Sequence, residues 1–336
     1  MTHELKKIVQ AYLRAREQKL KTVLATVVAL DGSSYRRPGV RMLIRGDGTM
    51  IGAVSGGCVE KEVLRQAETV FRTNIPKVMT YDGRYRLGCE GLLYILIEPF
   101  APNSEFMAHF DKAIKLRGNF SMCSHFELKD NAHRDYGTLV HFKEAILSLR
   151  PEYKTGSKLQ VFEQEMAPCL QLLIFGSEHD TVQLCSYASM TGWEVTVVTT
   201  PAEEKKSTDF PGAQQLLSQE AETLDMKLVD SQTAVMLMSH SYVKDLKYLL
   251  ALRDTHPLYL GMLGPFKRRE KLFNEFLERC PEVTEAFFED IHGPAGLDIG
   301  AETPQEIAVA IIAEILSVAR QKKPIPLKDK EAGIHS

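Results

Sequence analysis

Apolar and polar positions follow two different rhythms along this chain. In the first half, short apolar or alternating runs are broken by polar, glycine-containing turns; in the second, apolar runs of five or six residues alternate with longer stretches of helical spacing. Leu5, Ile8, Val9, Tyr12 and Leu13 fall on one helix face, so the chain opens on an amphipathic helix. Residues 22–30 (T-V-L-A-T-V-V-A-L) are β-branched and apolar throughout, which predicts a buried strand. Residues 40–45 alternate, with Val40, Met42 and Ile44 on one side and Arg41, Leu43 and Arg45 on the other, the pattern of a half-exposed strand. Gly46-Asp47-Gly48 is a hairpin signal, residues 50–54 form the returning strand, and Ser55 caps a helix running to about residue 73 on Val59, Val63, Ala67, Val70 and Phe71. Further strands are expected over 77–81, 92–97, 119–128, 136–143 and 157–163, with a helix over 103–117.

The rhythm changes at residue 170. L-Q-L-L-I-F (170–175) is a strand leading into Gly176 and a helix to about residue 191, and E-V-T-V-V-T (194–199) is the next strand. Residues 234–238 end at Ser239-His240 and enter a helix over 241–252; residues 258–263 end at Gly264 and enter another helix from Pro265. Strands that alternate with helices predict a parallel, doubly wound sheet. Thr303-Pro304-Gln305-Glu306 is a capping box with proline at the first helical position, opening a last helix whose apolar face is Ile307, Ile311, Ile312, Ile315 and Leu316. The fold class is therefore α/β: a mixed α/β domain over 1–167, a Rossmann-like domain over 168–322 and a Pro- and Lys-rich tail over 323–336.

Composition narrows the functional classes. A length of 336 residues suits two domains, and a net charge of −3 argues against nucleic acid as a partner. No signal peptide and no apolar run of transmembrane length is visible, so a cytoplasmic protein without a membrane partner is expected. The six cysteines form no C-x-x-C pair and no zinc spacing, which leaves free thiols.

Candidate chemistry concentrates in residues 31–60, where Arg36, Arg37, Arg41 and Arg45 accompany seven glycines and Cys58. Guanidinium groups bind anionic oxygens bidentately, and glycines let backbone N–H groups come close to a ligand. Ser55, Gly56, Gly57 and Cys58 stand where a helix begins; its free N–H groups and dipole favour an anion and a thiolate, the form of cysteine that attacks or binds metal. Cys89 lies in a second glycine-rich loop (81–91) of the same domain. Gly176-Ser177-Glu178-His179-Asp180-Thr181 occupies the position of a dinucleotide fingerprint but carries Glu178 and Thr181 where G-x-G-x-x-G needs its second and third glycines, which argues against NAD. His240 and His292 stand at strand ends, the edge that borders the ligand crevice in such sheets.

The runs G-S-S-Y-R-R-P-G-V-R-M-L (32–43) and G-A-V-S-G-G-C-V-E (52–60) resemble the N-terminal signature of the XdhC/CoxI family of xanthine dehydrogenase accessory factors. L-L-I-F-G (172–176), V-M-L-M-S-H (235–240), Y-L-G-M-L-G (259–264) and H-G-P-A-G-L-D-I-G-A-E-T-P-Q-E-I-A (292–308) are similar to that family's Rossmann-like domain. The resemblance implies a maturation chaperone rather than a stand-alone enzyme. Such a protein binds the molybdopterin form of the molybdenum cofactor, supports its sulfuration with a cysteine desulfurase as sulfur source, and delivers it to an apo xanthine dehydrogenase-type molybdenum enzyme, usually as a dimer. Arg36, Arg37, Arg41 and residues 55–58 would then hold the cofactor, and Cys58, with Cys89, would touch the metal or relay sulfur. His179 matches a family histidine. Gly176, Ser177, His179 and His240 line the candidate site of the second domain. The family's G-A-G-H-V-A reads G-S-E-H-D-T here, and its G-C-G-G reads G-C-E-G around Cys89. The alternative is an NAD(P)-dependent oxidoreductase built on the C-terminal domain.

Overall fold

A computed structural model describes the chain except residues 33–36, 84–90, 152, 157, 284 and 331–336, and except the side chains of Cys58, Glu285 and Ala286. Its described residues form two compact units, Met1–Pro168 and Cys169–Lys330.

The first unit runs α1 (Thr2–Glu17), β1 (Thr22–Gly32), β2 (Arg41–Arg45), β3 (Met50–Gly52), α2 (Cys58–Thr73), β4 (Lys77–Asp82), β5 (Gly91–Pro99), α3 (Ser104–Lys115), β6 (Phe120–Phe126), β7 (Asn131–Ala132), β8 (Gly137–His141), β9 (Ile146–Ser148) and β10 (Gln160–Met166). One antiparallel sheet has the order β3-β2-β1-β5-β4-β7, and a second the order β10-β6-β8-β9. The apolar run of β1 serves both faces of the first sheet. Val23, Ala25 and Val27 join Met42, Ile44, Ile95 and Ile97 under the α2 face of Val59, Val63, Ala67 and Val70. Leu24 and Leu43, with the opposite parity, pack against Leu5, Ile8 and Val9 of α1, Phe106 and Phe110 of α3, and Phe120 and Met122 of the second sheet. This second layer corrects the expectation of a half-exposed strand at 40–45: Leu43 is fully buried and Arg41 is only 6% exposed. Alternation of charge and apolar residues signals one wet face only when nothing covers that face, and here α1 and the second sheet do.

The second unit runs β11 (Gln171–Phe175), α4 (His179–Met190), β12 (Glu194–Thr199), β13 (Gln215–Ser218), β14 (Thr233–Leu237), α5 (Tyr242–Leu252), β15 (Tyr259–Met262), α6 (Phe266–Arg279), α7 (Glu285–Glu289), β16 (Ile291–His292) and α8 (Pro304–Ala319). The strands are all parallel in the order β13-β12-β11-β14-β15-β16. Counted within this unit, the first strand lies between the second and the fourth, the Rossmann arrangement, and its switch point falls between β11 and β14. Helices α5 and α6 cover one face through Leu246, Leu249, Leu272 and Phe276; α4 and α8 cover the other through Leu184, Ala188, Ile311 and Ile315. The expected capping box is present: Thr303 Oγ1 accepts from the Glu306 amide at 3.3 Å, and Glu306 Oε2 accepts from the Thr303 and Glu302 amides at 2.9 Å each. Of the anticipated α8 stripe, Leu316 instead points outward at 37% exposure. Strands β13 and β16 carry too short an apolar run to stand out in the sequence and form at the two sheet edges. Among the described residues, no helix is long and apolar enough to cross a membrane.

Candidate functional site

In the first unit the turn entering α2 is built around Glu60, a residue that neither the arginine cluster nor the cysteine spacing singles out. Its Oε1 accepts from the Val54 and Ser55 amides at 3.1 and 2.6 Å, and its Oε2 from Ser55 Oγ and the Gly57 amide at 2.8 Å each. The helix cap is therefore Gly57, with φ +127°, and not Ser55; Ser55 is instead tied to the carboxylate that accepts from the Gly57 amide. Gly57 is the residue that the left-handed backbone there requires. Burial pushes the Glu60 carboxyl up, but the donors on Ser55 and Gly57 outweigh it and hold it below the ordinary carboxylate range. Two of the amides expected to receive an anion, those of Ser55 and Gly57, thus already face a carboxylate supplied by the chain itself. The fingerprint of this arrangement was available as S-G-G-C-V-E, because a glutamate three residues into a helix is the reciprocal half of a capping box.

Arg37 is exposed, whereas Arg41 lies inside the unit. Arg41 Nη1 donates to Gly39 O at 2.9 Å and Gln164 Oε1 at 2.5 Å, while Nε and Nη2 are buried with no hydrogen-bond partner among the described residues. Burial lowers its pKa to about 10, against the pull of Glu98. Glu98 is fully buried and accepts from Thr138 N at 3.0 Å and Thr138 Oγ1 at 2.6 Å. Burial raises Glu98 to about 7, moderated by the Thr138 donors and then by Arg150 and Arg41. A polar layer thus lies inside the first unit, and its acidic member sits in an apolar run, L-L-Y-I-L-I-E-P, where only the charge itself could have drawn notice. Arg36, Cys89 and the side chain of Cys58 lie outside what the structure describes. The cysteines whose side chains are described, Cys123, Cys169, Cys185 and Cys280, are buried and outside any disulfide, and among the described residues no group of three His, Cys, Asp or Glu could hold a metal ion.

In the second unit, Gly176 and Ser177 follow β11, and His240 follows β14, on the two sides of the switch point. Gly176 has φ +145°, and a Cβ there would lie 2.5 Å from Met238 O, so the two loops touch through a position only glycine can fill. Ser177 is buried and His179 is exposed at the first turn of α4. His240 Nε2 meets Asp180 Oδ2 at 3.1 Å and so spans the two loops. Behind it, Ser239 N and Oγ donate to Asp245 Oδ1 at 3.2 and 2.5 Å, and Arg268 pairs with Asp245 Oδ2 at 2.7 Å. Each dinucleotide feature is altered or taken. The second glycine position is the exposed Glu178, and Thr181 at the third is buried, its hydroxyl without a partner among the described residues. Glu203, the acid beyond β12, accepts from Thr200 N at 3.2 Å and pairs with Lys244.

Two family models match the sequence in succession: the XdhC and CoxI family over residues 15–82, and the XdhC Rossmann domain over residues 172–315. The chain belongs to the XdhC and CoxI family. Over 300 residues it is 26% identical to the molybdenum cofactor insertion chaperone PaoD of Escherichia coli (strain K12), covering 88% of this chain and 83% of that one. Over 328 residues it is 27% identical to a probable xanthine dehydrogenase component of Bacillus subtilis (strain 168), covering 91% and 95%. A crystal structure described as a xanthine dehydrogenase from Bacillus halodurans shares the fold, with a TM-score of 0.76 at 22% identity over 96% of this chain and 98% of that one. The XdhC Rossmann match spans the switch-point loops and most of α8, and the XdhC and CoxI match spans the Glu60 turn.

Proposed function

We propose that this protein binds the molybdenum cofactor in the cytoplasm, holds it while a terminal sulfido ligand is added, and delivers it to an apo xanthine dehydrogenase-type molybdenum enzyme. The observation that carries the reading is the likeness to the insertion chaperone PaoD over 88% of the chain, together with the S-G-G-C-V-E turn. In this reading the domain over 1–167 receives the cofactor. Arg36 and Arg37 supply the cationic surface for its phosphate, and residues 55–58 bring Cys58 to the metal, with Cys89 as a second thiol. Arg41 shapes the floor from inside, because its buried guanidinium braces Gly39 and Gln164. A cysteine desulfurase is the sulfur source and the working form is a homodimer. The Rossmann-like domain over 168–322 supports the cofactor or docks the receiving enzyme.

An NAD(P)-dependent oxidoreductase is the other reading that the strand order invites. Glu178, the Asp180–His240 pair and the Lys244–Glu203 pair argue against it, because they fill the places of the pyrophosphate and the ribose. The deciding experiment is purification from a molybdenum-replete host, followed by metal and pterin analysis of wild type and Cys58→Ser. Stoichiometric molybdenum and pterin in the wild type, depleted by C58S, is the expected result. A wild type empty of both, with a large thermal shift on NAD alone, sinks the reading.

A further inference from the structure

Inside the first unit, the face of β1, β2 and β5 that meets the second sheet carries polar side chains. Arg41 stands opposite Thr26 and Glu98 opposite Leu24, so the parity that turns Leu24 and Leu43 toward the second sheet turns Thr26, Arg41 and Glu98 the same way. Part of the Arg41 guanidinium is occupied: Nη1 donates to Gly39 O at 2.9 Å and to Gln164 Oε1 at 2.5 Å. The edge formed by Nε and Nη2 is sealed from solvent and meets no acceptor among the described residues, and the fully buried hydroxyl of Thr26 has no partner among them either. Glu98 faces this edge without touching it. Its two oxygens accept from Thr138 Oγ1 at 2.6 Å and Thr138 N at 3.0 Å, and each keeps a second lone-pair direction. The two charges nevertheless act on each other, Glu98 holding the Arg41 pKa up and Arg41 holding that of Glu98 down.

Two donors on one guanidinium edge, a buried hydroxyl and a carboxylate with lone pairs to offer are the partners that an internal water requires, since such a water makes two to four hydrogen bonds to buried polar groups. We propose that an ordered internal water accepts from Arg41 Nε and Nη2 and donates to Thr26 Oγ1 and Glu98, and that this bridge makes the Gly39 turn sensitive to the charge on Glu98. Four bonds saturate the water: both lone pairs face Arg41 and both hydrogens face oxygen. A protonated Glu98 brings a hydrogen of its own to lone pairs already taken, so it displaces an Arg41 bond. Burial raises the Glu98 carboxyl to about 7, so the bridge is complete above that value and is lost as pH falls through it. The bridge offsets part of the penalty of burying the ionised carboxyl and disappears where that penalty does. The charged and titratable groups around the pair are Arg150 and Tyr153 beyond β9, Asp135 beside these two, and Glu4 of α1 on the Arg41 side. Arg41 itself, at about 10, keeps its charge throughout. The change reaches Gly39 because Arg41 holds its carbonyl, and because a Cβ at Gly39 would collide with the Gln164 amide that Arg41 also holds. All of these residues belong to the first unit, and the bridge needs no bound cofactor.

The test is NMR of the full chain, uniformly labelled with ¹³C and ¹⁵N, titrated from about one pH unit above the Glu98 value to about one below it. At the upper end the Arg41 Nε–H is expected as a slowly exchanging resonance with a rotating-frame cross-peak to a long-lived water. On the way down that cross-peak fades, and the Arg41 Nε–H and Gly39 amide shift with the same midpoint as the Glu98 carboxyl carbon. Thr26→Val removes one partner of the water and speeds exchange of the Arg41 Nε–H roughly tenfold, the size of one lost hydrogen bond. Glu98→Gln abolishes the pH response of Arg41 and Gly39. An Arg41 Nε–H that shows no water cross-peak at the upper end, or that exchanges too fast to be seen, overturns the bridge. A wild-type cross-peak that persists unchanged while Glu98 titrates overturns its link to the carboxylate, and a Gly39 amide that stays put overturns the coupling to the turn. Both wild-type outcomes decide the matter even where Glu98→Gln fails to fold.

Discussion

Removing the carboxylate that fills the turn before α2 should open that turn specifically. In Glu60→Ala four donors lose their acceptor: the amides of Val54, Ser55 and Gly57 and the hydroxyl of Ser55. Val54 is fully buried, whereas Ser55 is half-buried and Gly57 exposed, so water can replace the acceptor for these two but not for the first. An orphaned buried amide costs about 1–3 kcal/mol, and loss of a helix cap about 1 kcal/mol. The combined effect is about 2–4 kcal/mol, which is roughly a hundredfold faster amide exchange at Val54 near the middle of that range if exchange proceeds by local opening. Glu60→Gln retains one acceptor oxygen but turns an NH₂ group toward one set of donors, and should cost about half as much. Acid acts in the same direction. Because the folded pKa is depressed, the stabilisation is complete above the ordinary carboxylate range and is lost as pH falls through the folded value. Hydrogen exchange followed residue by residue in E60A and wild type is the assay. Protection at Val54 unchanged within a factor of about three would refute the account of the turn.

Glu98 should show the opposite pH dependence. Its folded pKa is raised to about 7, so the folded state binds the proton more tightly than the unfolded state does. Stability of the first unit should fall as pH rises from the ordinary carboxylate range to about 7, by about 3 kcal/mol at most, and then level off; urea midpoints against pH should lose that slope in Glu98→Gln. Gly176→Ala should destabilise the second unit by roughly 2–4 kcal/mol, since the new methyl would meet Met238 O at 2.5 Å from a backbone at φ +145°, read as a lower thermal midpoint for that unit. Thr303→Ala removes a helix cap and should cost about 1 kcal/mol, with faster exchange of the Glu306 amide as the direct sign.

Much of the architecture follows from local pattern. The nine-residue run that became β1, the strand–helix alternation after residue 170 and the Thr303 capping box were all legible, because each depends on spacing within a few residues. The family signatures were legible for the same reason, being contiguous. Tertiary structure decided the rest. Arg41 looks like a surface cation until α1 and a second sheet cover its strand, and burial is a property of what lies above a residue rather than of its neighbours in the chain. Glu98 gains its raised pKa from burial, which Thr138, Arg150 and Arg41, brought from three other segments, only temper. Tyr259, His292 and Glu314 are separated by 22 to 55 positions and meet only because β15 and β16 are adjacent under α8. The sequence determined which elements form and to which family they belong. Only the packing decided which charges face water and which are sealed among partners.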